Sequence, residues 1–235
     1  MATSNVSNLD LVEQATIDDV EFIAKSCQFA ERAHTGIGYF DLLLSKHQGC
    51  DISKVLEYVC EHDTNSILHY SKFLVIRDIQ TKKAVSALSG FMSPQFGIAS
   101  AKPGISSAMH SIFDLPEDEC RETWSNVSFL AEGFPADVPY PKNTWIIEAV
   151  FTDPGHRGKG YASMLLNAMF EKGRTATCIP VNGSGTGEGS ASPSCQQCFI
   201  CCADGNDSAM QLYNKNKFIR LGAGSGTSPT CLEKL

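Results

Sequence analysis

A basic, glycine-rich hexapeptide, Arg157-Gly158-Lys159-Gly160-Tyr161-Ala162, stands where an apolar run gives way to a helical period. Amides in the first turn of a helix lack internal partners, and the helix dipole adds positive potential there, so such a turn suits an anion. Gly158 and Gly160 remove side chains that would keep a phosphate away, while Arg157 and Lys159 add charge. The turn is not a dinucleotide fingerprint, because Ser163 stands where the third glycine is required. Nor is it a P-loop, since Asp153 replaces the leading glycine and Gly160 the Ser or Thr after the lysine.

Just upstream, Glu148 is the one charge in the run Trp145–Thr152. Strand alternation places it on the face of Ile146, Val150 and Thr152. Burial in such a run raises a carboxyl towards the range of a general base. The plain alternative is a glutamate on a solvated face or paired with an arginine. Cys195-x-x-Cys198-x-x-Cys201-Cys202 invites a metal reading, but it lacks a second spaced ligand pair and a nearby histidine. No metal is expected, and the cysteines read as reduced core residues.

Several elements must position these groups. Trp145–Thr152 reads as a strand, Asp153-Pro154-Gly155 stops it, and a helix from Tyr161 ends near Lys172 and Gly173. Earlier, a short strand within Leu9–Ala15 precedes a helix opened by Thr16 and Asp19, a capping box with Asp in place of Glu. Its buried stripe is Val20, Ile23, Ala24, Cys27 and Ala30. Further helices are expected over Tyr39–Lys46 and Ser53–Glu61, then a hairpin of Lys72–Ile79 and Ala84–Phe91. Downstream, Gln197–Ala203 reads as a strand, Ser208–Asn216 as a helix, and Phe218–Leu221 and Thr230–Leu235 as final strands. The stretch 92–144, with a short helical candidate over Pro116–Phe129, is too long for a connection and reads as an insertion. The Gly/Ser-rich stretch 175–194 reads as a flexible loop.

Arg157-Gly158-Lys159-Gly160-Tyr161-Ala162 matches R-x-x-G-x-A and resembles the acetyl-CoA signature of the GNAT superfamily of N-acetyltransferases. Asn206 to Phe218 resembles the family's second pattern, N-x-x-A-x-x-x-Y-x-x-x-G-F, with Lys217 in place of the glycine. That departure touches the helix ending, which Asn216 could also supply. The resemblance implies one α/β (α+β) domain over 1–235: a mixed, mainly antiparallel sheet flanked by helices. It implies acetyl-CoA as co-substrate and a primary amine as acceptor. Glu148 would then be the base, acting directly or through water, and Tyr213 the acid that protonates the departing thiolate. Val150, Phe151 and Thr152 would bind pantetheine through backbone groups. Arg157, Gly158, Lys159, Gly160, Tyr161 and Ala162 would hold the pyrophosphate, and Asn206 would contact the cofactor arm or cap its helix.

The net charge of −7 over 235 residues disfavours nucleic acid as a partner. No apolar run has membrane-spanning length and the N-terminus shows no signal pattern, so a cytoplasmic protein without a membrane partner is expected. The reading allows a homodimer. Alternatives are a protein N-terminal or lysine acetyltransferase, a non-catalytic acyl-CoA-binding module, and a nucleotide-binding protein that uses the basic turn. Fold does not name the acceptor.

Overall fold

The structure is a computed structural model. It describes residues 11–35, 51–64, 66, 68–92, 107–119, 145–175, 198–202, 206–220 and 230–234. The helix expected over Tyr39–Lys46, most of the 92–144 insertion and nearly all of the 175–194 loop lie outside the described residues.

Seven strands form one sheet: β1 (Val12–Gln14), β2 (Phe73–Arg77), β3 (Ala84–Met92), β4 (Trp145–Thr152), β5 (Cys198–Cys202), β6 (Ile219–Arg220) and β7 (Thr230–Lys234). Their order is β1-β2-β3-β4-β5-β7-β6. Every neighbouring pair is antiparallel except β4–β5. Among the described residues the longer helices are α1 (Val20–Thr35), α2 (Ile52–His62), α3 (Tyr161–Thr175) and α4 (Asp207–Lys215).

Two apolar cores lie on the two faces of the sheet. One joins α1 and α2 to the sheet through Ile23, Ala24, Val55, Leu56, Val59, Phe73, Val75 and Ile146. The other joins α3 and α4 to it through Leu74, Leu88, Trp145, Ile147, Leu165, Leu166, Met169 and Tyr213. Each fully buried large aliphatic side chain contributes about 1.5–3 kcal/mol. Cys27, Cys60, Cys198 and Cys202 are buried within these cores.

The insertion is not wholly a surface excursion. Residues 107–113 are helical, and Ala108 and Met109 are buried in the first core. Ile112, Phe113 and Leu115 pack against the same core, and the helical stretch is about two turns long, too short for periodicity to mark it. The expected helix Pro116–Phe129 is helical at 117–119; residues 120–129 lie outside the described residues.

Helix α3 runs past its expected end. Gly173 sits inside the helix, where a Cβ would meet Trp145 Cγ at 2.8 Å. It is therefore a close-approach residue and not a terminator. At the start of α1 the capping box is present. The Thr16 amide donates to Asp19 Oδ2 at 2.8 Å, and the Asp19 amide to the Thr16 carbonyl at 3.0 Å.

The end of α4 corrects another expectation. Asn216 has φ −89° and is not the left-handed residue; Lys217 is, at φ +66°. The Lys217 amide donates to the Asn214 carbonyl and the Phe218 amide to the Tyr213 carbonyl, each at 3.0 Å. These bonds form a Schellman motif, and the Tyr213 and Phe218 rings meet at 5.9 Å as its apolar contact. A left-handed residue with a Cβ costs about 1–2 kcal/mol. Glycine recovers that but gives back about 0.4–1 kcal/mol through a freer unfolded chain. Lys217→Gly should therefore stabilise the protein by up to about 1 kcal/mol, raising Tm by roughly 2–4 °C. An unchanged or lower Tm would show that Lys217 carries no strain.

Candidate functional site

The site is built on β4. Its pairing with β3 runs Thr152 to Ser86, Phe151 to Ala87 and Val150 to Leu88, then resumes at Ile147 with Gly90. Two β4 residues, Glu148 and Ala149, thus oppose the single residue Ser89, which is a β-bulge. The bulge shifts the alternation of side chains. Trp145 and Ile147 face the α3 core and Ile146 the α1 core; beyond the bulge Ala149 and Phe151 face the α1 core and Val150 the α3 core.

This overturns the expectation that Glu148 shares one face with Ile146, Val150 and Thr152, because Ile146 and Val150 lie on opposite faces. A period-two reading cannot detect an inserted residue. The backbone of Glu148 lies at the bulge, and its side chain is outside the described residues.

The backbone direction follows from the same register. The Ala149 amide donates to Ser89 Oγ at 3.3 Å, the Phe151 carbonyl accepts from Ser86 Oγ at 2.9 Å, and the Asp153 amide donates to the Val85 carbonyl at 2.9 Å. Residues 149, 151 and 153 therefore direct their backbone groups towards β3. Alternation directs those of Val150 and Thr152 towards β5. The β4–β5 ladder covers only Trp145–Ile147 against Cys198–Ile200. Beyond Ile147, among the described residues, β4 has no ladder partner on that side. Among the described residues, Val150 and Thr152 thus have no strand paired to them on that side. Phe151, expected to share their role, turns its carbonyl to β3.

The glycine turn follows directly. Asp153 Oδ1 accepts from the Gly155 amide at 2.8 Å, and Pro154–His156 form a short 3-10 turn. Gly158 and Gly160 adopt φ +78° and +82°. A Cβ at either would meet nothing within 4 Å. Open space lies above both positions, and the left-handed backbone explains why glycine occupies them. Arg157 and Lys159 are exposed. Arg157 Nε donates to the Thr152 carbonyl at 3.3 Å, and Lys159 Nζ lies 6.0 Å from the Tyr161 ring. Tyr161 and Ala162, half-buried, begin α3.

His156 ties this turn to the β2–β3 hairpin. Its Nε2 is 3.6 Å from Asp78 Oδ2 and its Nδ1 3.6 Å from Asp153 Oδ1. A second tie joins the first turn of α3 to α4. The buried Asn216 donates through Nδ2 to Ser163 Oγ at 3.1 Å and to the Leu212 carbonyl at 2.8 Å. Neither residue was singled out from the sequence. Asn216 read only as a helix end, and nothing local shows that its amide crosses 53 residues to α3.

The other expected residues are on α4. Asn206 is the N-cap, its Oδ1 accepting from the Ala209 amide at 3.2 Å. Tyr213 is buried against Phe218 in the α3 core. The structure thus groups Glu148, Val150, Thr152 and the turn 157–162 on one strand and the helix it feeds. Asn206 and Tyr213 arrive on the helix that follows β5. Among the described residues no cluster of three His, Cys, Asp or Glu could hold a metal ion. Among them, too, no helix is long and apolar enough to cross a membrane.

A mainly antiparallel sheet that opens beside its one parallel pair, with a glycine turn feeding a helix from that opening, defines the GNAT class of fold. Comparison with known proteins agrees. Residues 119–182 match the model of the acetyltransferase (GNAT) family, a span that holds β4, the glycine turn and α3. An N-acetyltransferase from Staphylococcus aureus Mu50 superposes with TM-score 0.57 at 20% identity, covering 94% of this chain and 97% of that one. A second structure, described as an acetyltransferase, superposes with TM-score 0.64 at 16% identity, covering 95% and 98%. Among curated proteins nothing matches. The chain has the GNAT fold, and its residues 119–182 match that family's model.

Proposed function

We propose that the protein is an N-acetyltransferase that moves an acetyl group from acetyl-CoA to a primary amine by direct attack. The observation that carries this reading is the union of two binding devices on one strand. The outward backbone of Val150 and Thr152 suits the amides of a pantetheine arm, as an added strand would. The turn 157–162, with open space above Gly158 and Gly160, suits the pyrophosphate. Acetyl-CoA supplies the activated acyl group.

The chain's own residues then divide the work. A lysine-like amine has pKa about 10.4, so it arrives protonated and must lose a proton before it attacks. Glu148 takes that proton, directly or through water. The C–N bond forms as the C–S bond breaks, and the amide of Val150, facing the β5 side, donates to the acyl oxygen on which charge develops. Tyr213 gives its proton to the departing sulfur and regains one from the acylated nitrogen, directly or through water, which leaves a neutral amide. Asn206 acts first as the cap that orders α4, and so holds Tyr213 in place. The acceptor is a small-molecule or peptide amine, and a protein N-terminus or lysine is the second form of the same chemistry.

Calorimetric titration separates this reading from its rival. Acetyl-CoA should bind at least tenfold more tightly than ATP or NAD, and thiol release should rise with amines of a panel. Tighter binding of ATP would overturn the reading.

A further inference from the structure

We propose that Ser89, on β3, is a positioning residue that sets which backbone amide of β4 faces the cleft. This rests on the acetyl-transfer reading above. Ser89 is buried, 1% exposed, and is the single residue opposite the two-residue bulge Glu148–Ala149. Its Oγ accepts from the Ala149 amide at 3.3 Å.

A bulge places one unpaired residue in a strand, and the packing of Ala149 and Phe151 on one face and Val150 on the other already works against its migrating by one position. Migration would exchange the two edges of β4 locally. The Ala149 amide would then face the β5 side and the Val150 amide would face β3. The side-chain acceptor on Ser89 opposes this. It gives the Ala149 amide a side-chain partner that an apolar strand residue lacks, inside a core where an unpaired amide is costly. With Ala149 held towards β3, alternation leaves Val150 directed at the acyl carbonyl. Ser89 need not touch the substrate; it acts through the strand.

The two neighbouring serines differ in this respect. Ser86 Oγ bonds the Phe151 carbonyl and Thr152 Oγ1, at 2.9 and 2.8 Å, beyond the bulge where the register is regular. Of the two, Ser89 is the one whose Oγ accepts from an amide of the bulge.

Ser89→Ala tests the idea, with Ser89→Thr as the variant that keeps the hydroxyl. Amide hydrogen exchange at Ala149, read by NMR, reports the bulge without any substrate. Calorimetry with acetyl-CoA and with free CoA reports whether the acyl carbonyl is recognised. In Ser89→Ala the Ala149 amide should exchange at least tenfold faster, the preference for acetyl-CoA over CoA should shrink, and kcat should fall roughly tenfold. Affinity for free CoA, held by the glycine turn, should stay within about twofold. Ser89→Thr should restore the exchange rate and the preference. Unchanged Ala149 exchange in Ser89→Ala would overturn the proposal, as would faster exchange with the acetyl-CoA preference intact. A parent protein that binds neither acetyl-CoA nor CoA would instead overturn the acetyl-transfer reading. The exchange measurement would still decide the role of Ser89 in the bulge.

Discussion

Glu148→Gln is expected to lower kcat for amine acetylation by roughly 10²–10⁴-fold, the range that a positioned general base contributes. The amide retains shape and hydrogen-bonding capacity but accepts no proton at working pH. Affinity for acetyl-CoA should hold, because the turn 157–162 and the backbone of Val150 and Thr152 bind that substrate without the carboxylate. The fold should hold as well, since the change leaves the backbone of the bulge alone. Amines of lower pKa should be less affected, because they arrive already deprotonated. Tyr213→Phe should lower kcat less, and its effect should fade with acyl donors whose thiol is a better leaving group. Steady-state kinetics with a series of amines provides the check. If neither substitution changes kcat, the roles given to both residues are wrong, though the fold would stand.

The second large effect concerns stability. Asp19→Ala should destabilise the protein by about 3 kcal/mol, at the lower end for breaking a buried ion pair. Asp19 is 2% exposed and takes both terminal nitrogens of Arg77, Nη1 to Oδ1 and Nη2 to Oδ2, each at 2.7 Å. It also accepts from the Thr16 amide. The carboxylate therefore joins the start of α1 to the end of β2. Arg77 bonds Glu13 through Nε at 2.9 Å, which draws β1 into the same cluster. The Arg77 side chain is 19% exposed, so solvent screens part of the charge left behind. For a chain of this size the loss corresponds to a Tm lower by roughly 6–12 °C. A double substitution, Asp19→Leu with Arg77→Met, should cost much less than either single change, because no buried charge is left without its partner. A Tm near the parent's for Asp19→Ala would sink the argument.

The same cluster gives a pH dependence with a definite sign. Burial alone would raise the Asp19 carboxyl. The Arg77 guanidinium, the Thr16 amide and the Thr16 hydroxyl outweigh it and hold the carboxyl below its ordinary value. Its folded pKa is thus lower than its unfolded one. The pair's contribution is fully present above about pH 4 and is lost as pH falls through the lower, folded value. The stability gap between the parent and Asp19→Ala should therefore be constant at neutral pH and close in acid.

How far the sequence could be read depended on the range of the forces involved. Local chemistry was legible. The capping box at Thr16 and Asp19, the strand Trp145–Thr152, the glycine turn and the amphipathic faces of α1 and α2 all depend on neighbours a few residues apart. The GNAT fold followed from the turn, the Asn206–Phe218 pattern and the order of elements together. Features that depend on an opposing strand or helix were not legible. The bulge at Glu148–Ala149 is defined by Ser89, far away in sequence, and it defeated the alternation argument for Glu148. The two serines in Ala84–Met92 were the available signal, hydroxyls within an otherwise apolar strand.

By itself, then, the sequence determined which segments become strands and helices, and where an anion would be held. Those choices follow from dihedral preference, period and capping, which act along the chain. Tertiary structure alone decided that Gly173 belongs inside a helix against Trp145 and that Asn216 locks α4 to α3. It alone decided that Val150 and Thr152 turn their backbone groups to the β5 side, beyond the end of the β4–β5 ladder. Each of these is set by a partner that sequence distance conceals and that only packing brings within a few ångströms.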